Sequence, residues 1–421
     1  MKARLYIFFL VAFCLLHSSP AIAGDAALEG LIESALKNNP GILASEARVA
    51  ASGFRPSQVM TLPDPMFMIG YQNEGFSRYT LGEEQGAQWM FSVSQMLPYP
   101  GKLPLKGEMA ERDSAALAAS HRMLKLKTEA RVRELYLDLF MAYKDIDLIK
   151  ERAALFEKIE DAALARYSSG AGMQQDVLMA QTEKYMLLEK EEMFRQKIGT
   201  AEAMLNAVVG RSVDSSIARP QEPVKSNLDM EMKSMIDMVA ANSPDTAVMQ
   251  NMIKAAELRV RMAEKEFYPD FTVTANYAKR GGPFLDMWSM TTAVNVPIYY
   301  KTKQRQAVRE AEASLLEARE RLSETRLMLA SSVRDNYTMA MTAERLMELY
   351  VNGLIPKTYQ DFESAVAGYS AGRGEALPVI SKLKAVIDYE TNYWTQFVER
   401  EKAIARLHAL AGRNAAATGE K

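Results

Sequence analysis

The sequence is nearly empty of the residues that carry metal and redox chemistry. It holds one cysteine, Cys14, and three histidines in 421 residues. A lone thiol excludes a disulfide framework and thiolate zinc sites. His121 and His408 stand alone on helical patterns, and no catalytic constellation forms around them. There is no Gly-rich loop ending in Lys-Ser/Thr, so nothing points to ATP hydrolysis by this chain. No cofactor, no metal and no enzymatic activity are expected. Charge of one sign is missing too: 51 Lys and Arg stand against 53 Asp and Glu. That balance excludes a nucleic-acid binder working through a basic surface. Long hydrophobic runs are also absent. The stretch from Leu5 to Leu16 is too short to span a bilayer as a helix. Lys2 and Arg4 precede it and Ala21-Ile22-Ala23 follows, so residues 1–23 read as a secretory signal peptide. Bulky Phe13 before Cys14 argues against a lipidated cysteine.

What remains is ordinary folded protein with an unusual order. Hydrophobic residues make up 48%, which excludes wholesale disorder. The 27 methionines are scattered, most at helical spacing, and fit a role as soft core fillers. Comparing the chain with itself is the informative step. Ala35-Leu36-Lys37-Asn38-Asn39-Pro40 is echoed by Val239-Ala240-Ala241-Asn242-Ser243-Pro244, and Pro63-Asp64 by Pro269-Asp270. Pro98 is echoed by Pro297, Tyr167-Ser168-Ser169-Gly170 by Tyr369-Ser370-Ala371-Gly372, and Val209-Gly210-Arg211 by Ala411-Gly412-Arg413. The offsets are 204, 206, 199, 202 and 202 residues, in order. This predicts a tandem duplication. Residues 24–211 form a first repeat, residues 212–227 with Pro220 and Pro223 a linker, residues 228–412 a second repeat, and residues 413–421 a polar tail expected to be disordered.

Each repeat opens with a helical pattern and continues with two strand-like runs, near Met66–Asn73 and Gln88–Leu97 in the first. Phe67, Ile69, Trp89, Phe91 and Val93 alternate with smaller or more polar neighbours. In the second repeat Phe271, Val273, Tyr277, Trp288 and Val294 do the same. Period-two alternation with aromatics near the ends fits a transmembrane barrel strand, but alternation alone favours a soluble hairpin with one wet face, since each barrel segment carries a weak signal. Very long helical patterns follow. One runs from about Lys102 to Arg166, the other from about Lys303 to Ala367 with interruptions at Gly353 and Pro356. A helix of about 60 residues spans roughly 90 Å. After each Tyr-x-x-Gly turn a further helical stretch returns. Four strands cannot close a barrel, and open sheet edges cannot sit in lipid, so spanning strands would require association. Three copies would supply twelve strands.

On these features the chain resembles the TolC-like outer membrane efflux family from about Leu28 to Gly412. Gly170-Ala171-Gly172-Met173-Gln174-Gln175-Asp176-Val177-Leu178 is similar to the family's first tunnel-tip motif. Leu62-Pro63-Asp64-Pro65 and Ser94-Gln95-Met96-Leu97-Pro98-Tyr99-Pro100-Gly101-Lys102 resemble the branch serving heavy-metal and other resistance-nodulation-division (RND) pumps. The resemblance implies a mostly α fold with a transmembrane β-barrel: a homotrimer whose twelve-stranded barrel continues into a long α-helical periplasmic tunnel. It implies the outer membrane of a Gram-negative bacterium, with lipid around the barrel. Its partners would be a periplasmic adaptor (membrane fusion) protein and an inner-membrane pump of RND type. Phe67, Ile69, Trp89, Phe91, Trp288 and Val294 would face lipid. Tyr167, Gly170, Tyr369 and Gly372 would form the tip turns where an adaptor docks, although plain helix capping also explains the tyrosines. Asp176 stands at the family's acidic gate position, where helix-dipole capping is the competing reading. The matching position in the second repeat is Pro378 rather than an acid, and the next is Ser381. Arg373 and Glu375 are the nearby charged candidates.

Three functions follow from this reading: an exit duct for small solutes or heavy-metal cations, the same duct serving type I polypeptide secretion, or a periplasmic coiled-coil scaffold.

Overall fold

The computed structural model describes residues 26–412. The expected signal peptide and the tail from Arg413 lie outside the described residues. In chain order the elements are α1 (Ala26–Asn38), α2 (Pro40–Gly53), α3 (Arg55–Met60), β1 (Met66–Gln72), β2 (Gln88–Leu97), α4 (Lys102–Ser168) and α5 (Gln174–Val209). The order then repeats with α6 (Met232–Asn242), α7 (Pro244–Lys265), β3 (Asp270–Lys279), β4 (Met287–Asn295), α8 (Gln304–Leu349), a π-turn (Tyr350–Leu354), α9 (Ile355–Ser370) and α10 (Ala376–Leu410). Among the described residues no helix is long and apolar enough to cross a membrane.

The Asn-x-Pro landmarks become helix breaks. Asn39 Oδ1 accepts hydrogen bonds from Gly41 N (2.8 Å) and Ile42 N (3.1 Å), capping α2 at its proline-led start. The 67 residues of α4 form one unbroken helix. Its counterpart in the second half is interrupted at the π-turn, where Gly353 sits and Pro356 follows, a proline with no N–H to give to the ladder.

The chain divides into two compact units, each drawing on both halves. One comprises residues up to Leu43, Met123–Ser243 and the chain from Leu329; the other comprises Ala44–Arg122 and Pro244–Met328. The first unit is helical and holds its core in seams. Leu31, Ile32 and Ala35 of α1 pack on Val132, Leu135 and Leu139 of α4 and on Leu205 and Val209 of α5. Met235 and Val239 of α6 pack in the same way on Leu329 and Val333 of α8, and on Leu407 and Ala411. A third cluster joins α4, α5, α9 and α10 beneath the turns. There Ile149, Phe156, Ile159 and Ala163 recur at steps of seven, three and four, and Val379, Leu383 and Val386 answer from α10. Such spacing keeps one apolar stripe facing a neighbour along a long helix. Leu139, Leu205, Leu383 and Leu407 are fully buried. Truncating any of them to Ala costs about 2–5 kcal/mol.

The linker lies along these helices through polar contacts. Lys144 pairs with Glu222 at 3.2 Å, Arg219 with Asp147, and Lys225 with Glu344. Glu344 also meets Arg400, a buried cation whose other partner is Glu401. A buried guanidinium is tolerable only with such paired acceptors.

The second unit contains the sheet. Its order is β1-β2-β3-β4, every pair antiparallel, so β1 and β4 each have a single strand neighbour among the described residues.

Candidate functional site

The pleat sorts the sheet into two chemically different faces. Phe67 is registered with Val93, and Val93 with Ala275; Ile69 is registered with Phe91, and Phe91 with Tyr277. Tyr277 pairs in turn with Trp288, and Phe271 with Val294. Residues directly opposite in an antiparallel pair point the same way. Phe67, Ile69, Trp89, Phe91, Trp288 and Val294 therefore lie on one face. Rings on it meet each other: Phe91 and Tyr277 have centroids 6.3 Å apart, Tyr71 and Trp89 5.1 Å. This apolar surface is open, with Phe67 61% and Trp288 81% exposed. The opposite face carries Gln72, Gln88, Ser92, Ser94, Thr272, Thr274, Asn276, Ser289 and Thr291, together with Met66, Met68, Met90, Met96 and Met287. These five methionines, like Met290 on the other face, depart from the core-filler expectation, since they sit on a sheet surface.

Where β2 leads into α4, a polar corner forms. Lys102 is 2% exposed, and its Nζ donates to Asp270 Oδ1 at 2.9 Å, Glu266 Oε2 at 3.3 Å and the Tyr268 carbonyl at 3.4 Å. Asp270 Oδ1 also accepts from the Tyr99 amide at 2.7 Å. The Tyr99 and Tyr268 rings stack at 4.5 Å, with Lys265 Nζ over both. The sequence marks Lys102 only as the end of a Pro-Gly-Lys motif, because both carboxylate partners lie more than 160 residues away.

The other candidate region is the pair of turns closing the helical hairpins. In the first, Gly170 N bonds to the Tyr167 carbonyl (3.0 Å) and Ala171 N to the Arg166 carbonyl (2.9 Å). In the second, Gly372 N bonds to Tyr369 O (3.0 Å) and Arg373 N to Gly368 O (3.0 Å). This is one and the same C-terminal cap twice, and it requires a left-handed residue. Gly170 has φ +75° and Gly372 φ +76°. The two tyrosines part company. Tyr167 is 46% exposed, whereas Tyr369 is 2% exposed. Tyr369 joins the apolar cluster of α4, α5, α9 and α10, and Arg166, which the sequence reading overlooked, lies against its ring. Its guanidinium lies 4.5 Å from the centroid of the Tyr369 ring and donates to the carbonyls of Tyr369 (2.9 Å), Gly374 (3.1 Å) and Ala171 (3.3 Å). One side chain thus ties both turns. Its counterpart in the second half is Gly368, so no sequence symmetry points to it.

Asp176 is half-buried in the first turn of α5, where a carboxylate meets the positive end of the helix. The Tyr369 hydroxyl approaches its Oδ2 at 3.5 Å. Burial, with the Asp176 charge second, pushes the Tyr369 phenol up, while Arg166 opposes the shift. The structure thus brings Asp176, Tyr369 and Arg166 together. It leaves Arg373 and Glu375 exposed, with Glu375 at the start of α10 making no side-chain cap. Beside the turns, Gln174, Leu178, Met179, Thr182, Leu377 and Ile380 line an open groove of about 470 Å³.

Known proteins match this architecture. The model of the outer membrane efflux protein family matches residues 235–413. The fusaric acid resistance protein FusA of Burkholderia cepacia is 24% identical over 53% of this chain; that alignment takes in 44% of FusA, less than half its length. The cobalt-zinc-cadmium resistance protein CzcC of Cupriavidus metallidurans is 20% identical over 93% of this chain and 91% of its own. Among solved structures, the outer membrane protein VceC of Vibrio cholerae superimposes with a TM-score of 0.78 at 18% identity, covering 92% of this chain and 97% of that one. The chain shares the fold of VceC. Over residues 235–413 the chain is similar to the outer membrane efflux protein family.

Proposed function

We propose that the chain is the outer-membrane exit duct of a tripartite exporter, a passive conduit rather than an enzyme. The observation that carries this is the sheet: among the described residues, four strands, two edges without a strand partner, and one face that is apolar and open. In hydrocarbon every backbone donor and acceptor must be paired, so four strands with free edges cannot stand alone in a bilayer. Three copies joined edge to edge give twelve strands, an even number that encloses a channel. The aromatic face then meets lipid and the Ser/Thr/Asn/Met face lines the lumen. Residues 24–211 and 228–412, joined by residues 212–227, read as two copies of one ancestral unit. That duplication supplies two hairpins and two turns per subunit. The turns at Gly170 and Gly372, with the groove beside Leu178 and Leu377, suit the helical hairpin of a periplasmic adaptor. An inner-membrane pump of RND type supplies the energy. Asp176, three copies around the axis, contributes a negative ring at the mouth, with Arg373 and Glu375 as further charges there. The names of FusA and CzcC support small solutes or heavy-metal cations as cargo.

Fractionation and electrophysiology test the proposal together. The protein should sediment with the outer membrane and form conducting pores in planar bilayers. Asp176→Asn should reduce the cation preference of those pores, read as a change in reversal potential. An unchanged reversal potential removes Asp176 from the mouth, and a water-soluble single subunit without pore activity removes the duct.

A further inference from the structure

The strands contain almost no charge. Their 36 residues, taken over Met66–Gln72, Gln88–Leu97, Asp270–Lys279 and Met287–Asn295, include Asp270 and Lys279 and no other ionisable acid or base apart from tyrosine. Lys279 alternates with Ala278 and shares the aromatic face, where it is registered with Trp89. Asp270 alone falls on the face with Ser94, Thr272 and Thr274, at the end of β3 next to α7. Its charge is already matched. Lys102 Nζ sits 2.9 Å from its Oδ1, both side chains are withdrawn from water (3% and 16% exposed), and the Tyr99 amide donates to the same oxygen. A lysine so deeply buried needs acceptors of opposite charge; here the nearer is the one carboxylate of the polar face, and Glu266 at 3.3 Å, outside the strands, is the second.

We infer that the barrel lumen is electrically silent and that Lys102 keeps it so, by cancelling within the wall the only carboxylate the strands would present to the channel. This rests on the duct reading above and extends it. Charge discrimination then belongs to other parts of the molecule, and the barrel passes cationic, anionic and neutral solutes by size and polarity alone. Without Lys102, three copies of Asp270 would form a negative ring at one end of the barrel. A ring of like charges in a narrow aqueous passage produces potentials of several kT and enriches counter-ions.

Thiol labelling tests this without dependence on the helical mouth. Residues 26–412 contain no cysteine, so Thr272→Cys places a single thiol on the polar face, two residues from Asp270. Methanethiosulfonates carrying positive, negative or no charge are applied from outside to intact cells. In the otherwise unaltered chain the positive and negative reagents should react at rates within about twofold of each other. In Lys102→Met the ratio should shift toward the positive reagent by roughly fivefold or more, and adding Asp270→Asn should restore it. A strong positive preference before Lys102 is touched means that Asp270 is not masked and overturns the inference. That arm decides the matter even where Lys102→Met fails to assemble. An unshifted ratio in an assembled Lys102→Met trimer also overturns it. If the neutral reagent labels Phe271→Cys but not Thr272→Cys, the face assignment is inverted. The duct reading then falls, and the silent lumen with it.

Discussion

Asp145 is the residue that works against its own fold. It is 6% exposed, and its Oδ1 has no hydrogen-bond partner among the described residues. Burial pushes its carboxyl up to about 6, with Lys197 and Lys190 opposing from α5. A carboxyl raised in the folded state binds its proton more tightly there than in the unfolded chain, where its value is about 3.9. The linkage therefore runs opposite to that of a salt-bridged acid. The contribution of Asp145 to stability is greatest below pH ~4, falls as pH rises toward about 6, and stays low above. Asp145→Asn should raise the melting temperature of the detergent-solubilised protein at pH 8, worth up to about 2 kcal/mol, and leave it unchanged at pH 4. An equal gain at both values would mean that ionisation is not the cause. Arg166 makes the opposite case, a cation whose two terminal nitrogens are both used while its Nε has no partner among the described residues. Hydrogen bonds to charged donors contribute about 1.5–3 kcal/mol each, and Arg166 donates three to carbonyls of the two turns. Arg166→Ala should loosen both turns at once. Amide hydrogen exchange should accelerate at residues 167–173 and 369–375 while residues 383–398 keep their protection. Acceleration confined to the first turn would show that the two are held independently.

At the scale of elements, the strands and long helices were legible because period and length are local properties. The alternation from Phe67 to Tyr71 and from Trp89 to Val93 places side chains on faces without reference to anything distant, and the observed strands begin and end within two residues of the pattern. Gly353 and Pro356 announced a disturbance in the second long helix. They did not announce that the chain would pass through it as a π-turn, where the Tyr350 ring meets Tyr389 on α10. What escaped the sequence was every role set by a distant partner. Tyr167 and Tyr369 look equivalent in their motifs, and distant partners, the apolar cluster around Tyr369 and Arg166 some 200 residues away from it, separate an exposed ring from a buried one. The duct reading makes a sharp statement about the sheet. Trp288→Arg or Phe91→Arg places a cation on the lipid side and should weaken assembly by about 2–4 kcal/mol near the midplane. Ser289→Arg, one position along and on the other face, should be tolerated. Trimer yield on mild gel electrophoresis reads the difference, and equal yields for Trp288→Arg and Ser289→Arg would remove the distinction between faces.

For the whole molecule, the two compact units answer to different sources of stability. The helical unit buries continuous apolar seams within one chain, at Leu139, Leu205, Leu383 and Leu407 among others. The sheet has no such seam, for all of β4 is exposed and most of β1 with it. On the duct reading its apolar face is satisfied by lipid or detergent, and its β1 and β4 edges by neighbouring copies. Sheet and trimer should therefore be one cooperative structure, while much of the helical content does not depend on it. On heating in detergent, the β-sheet amide I band should vanish at the temperature where the species of three times the subunit mass gives way to single subunits, and helical signal should persist beyond that point. Boiled and unboiled samples should accordingly migrate differently on gels. A subunit-sized species that keeps its sheet band after dissociation would mean that four strands suffice by themselves, and the requirement for sister copies would be gone.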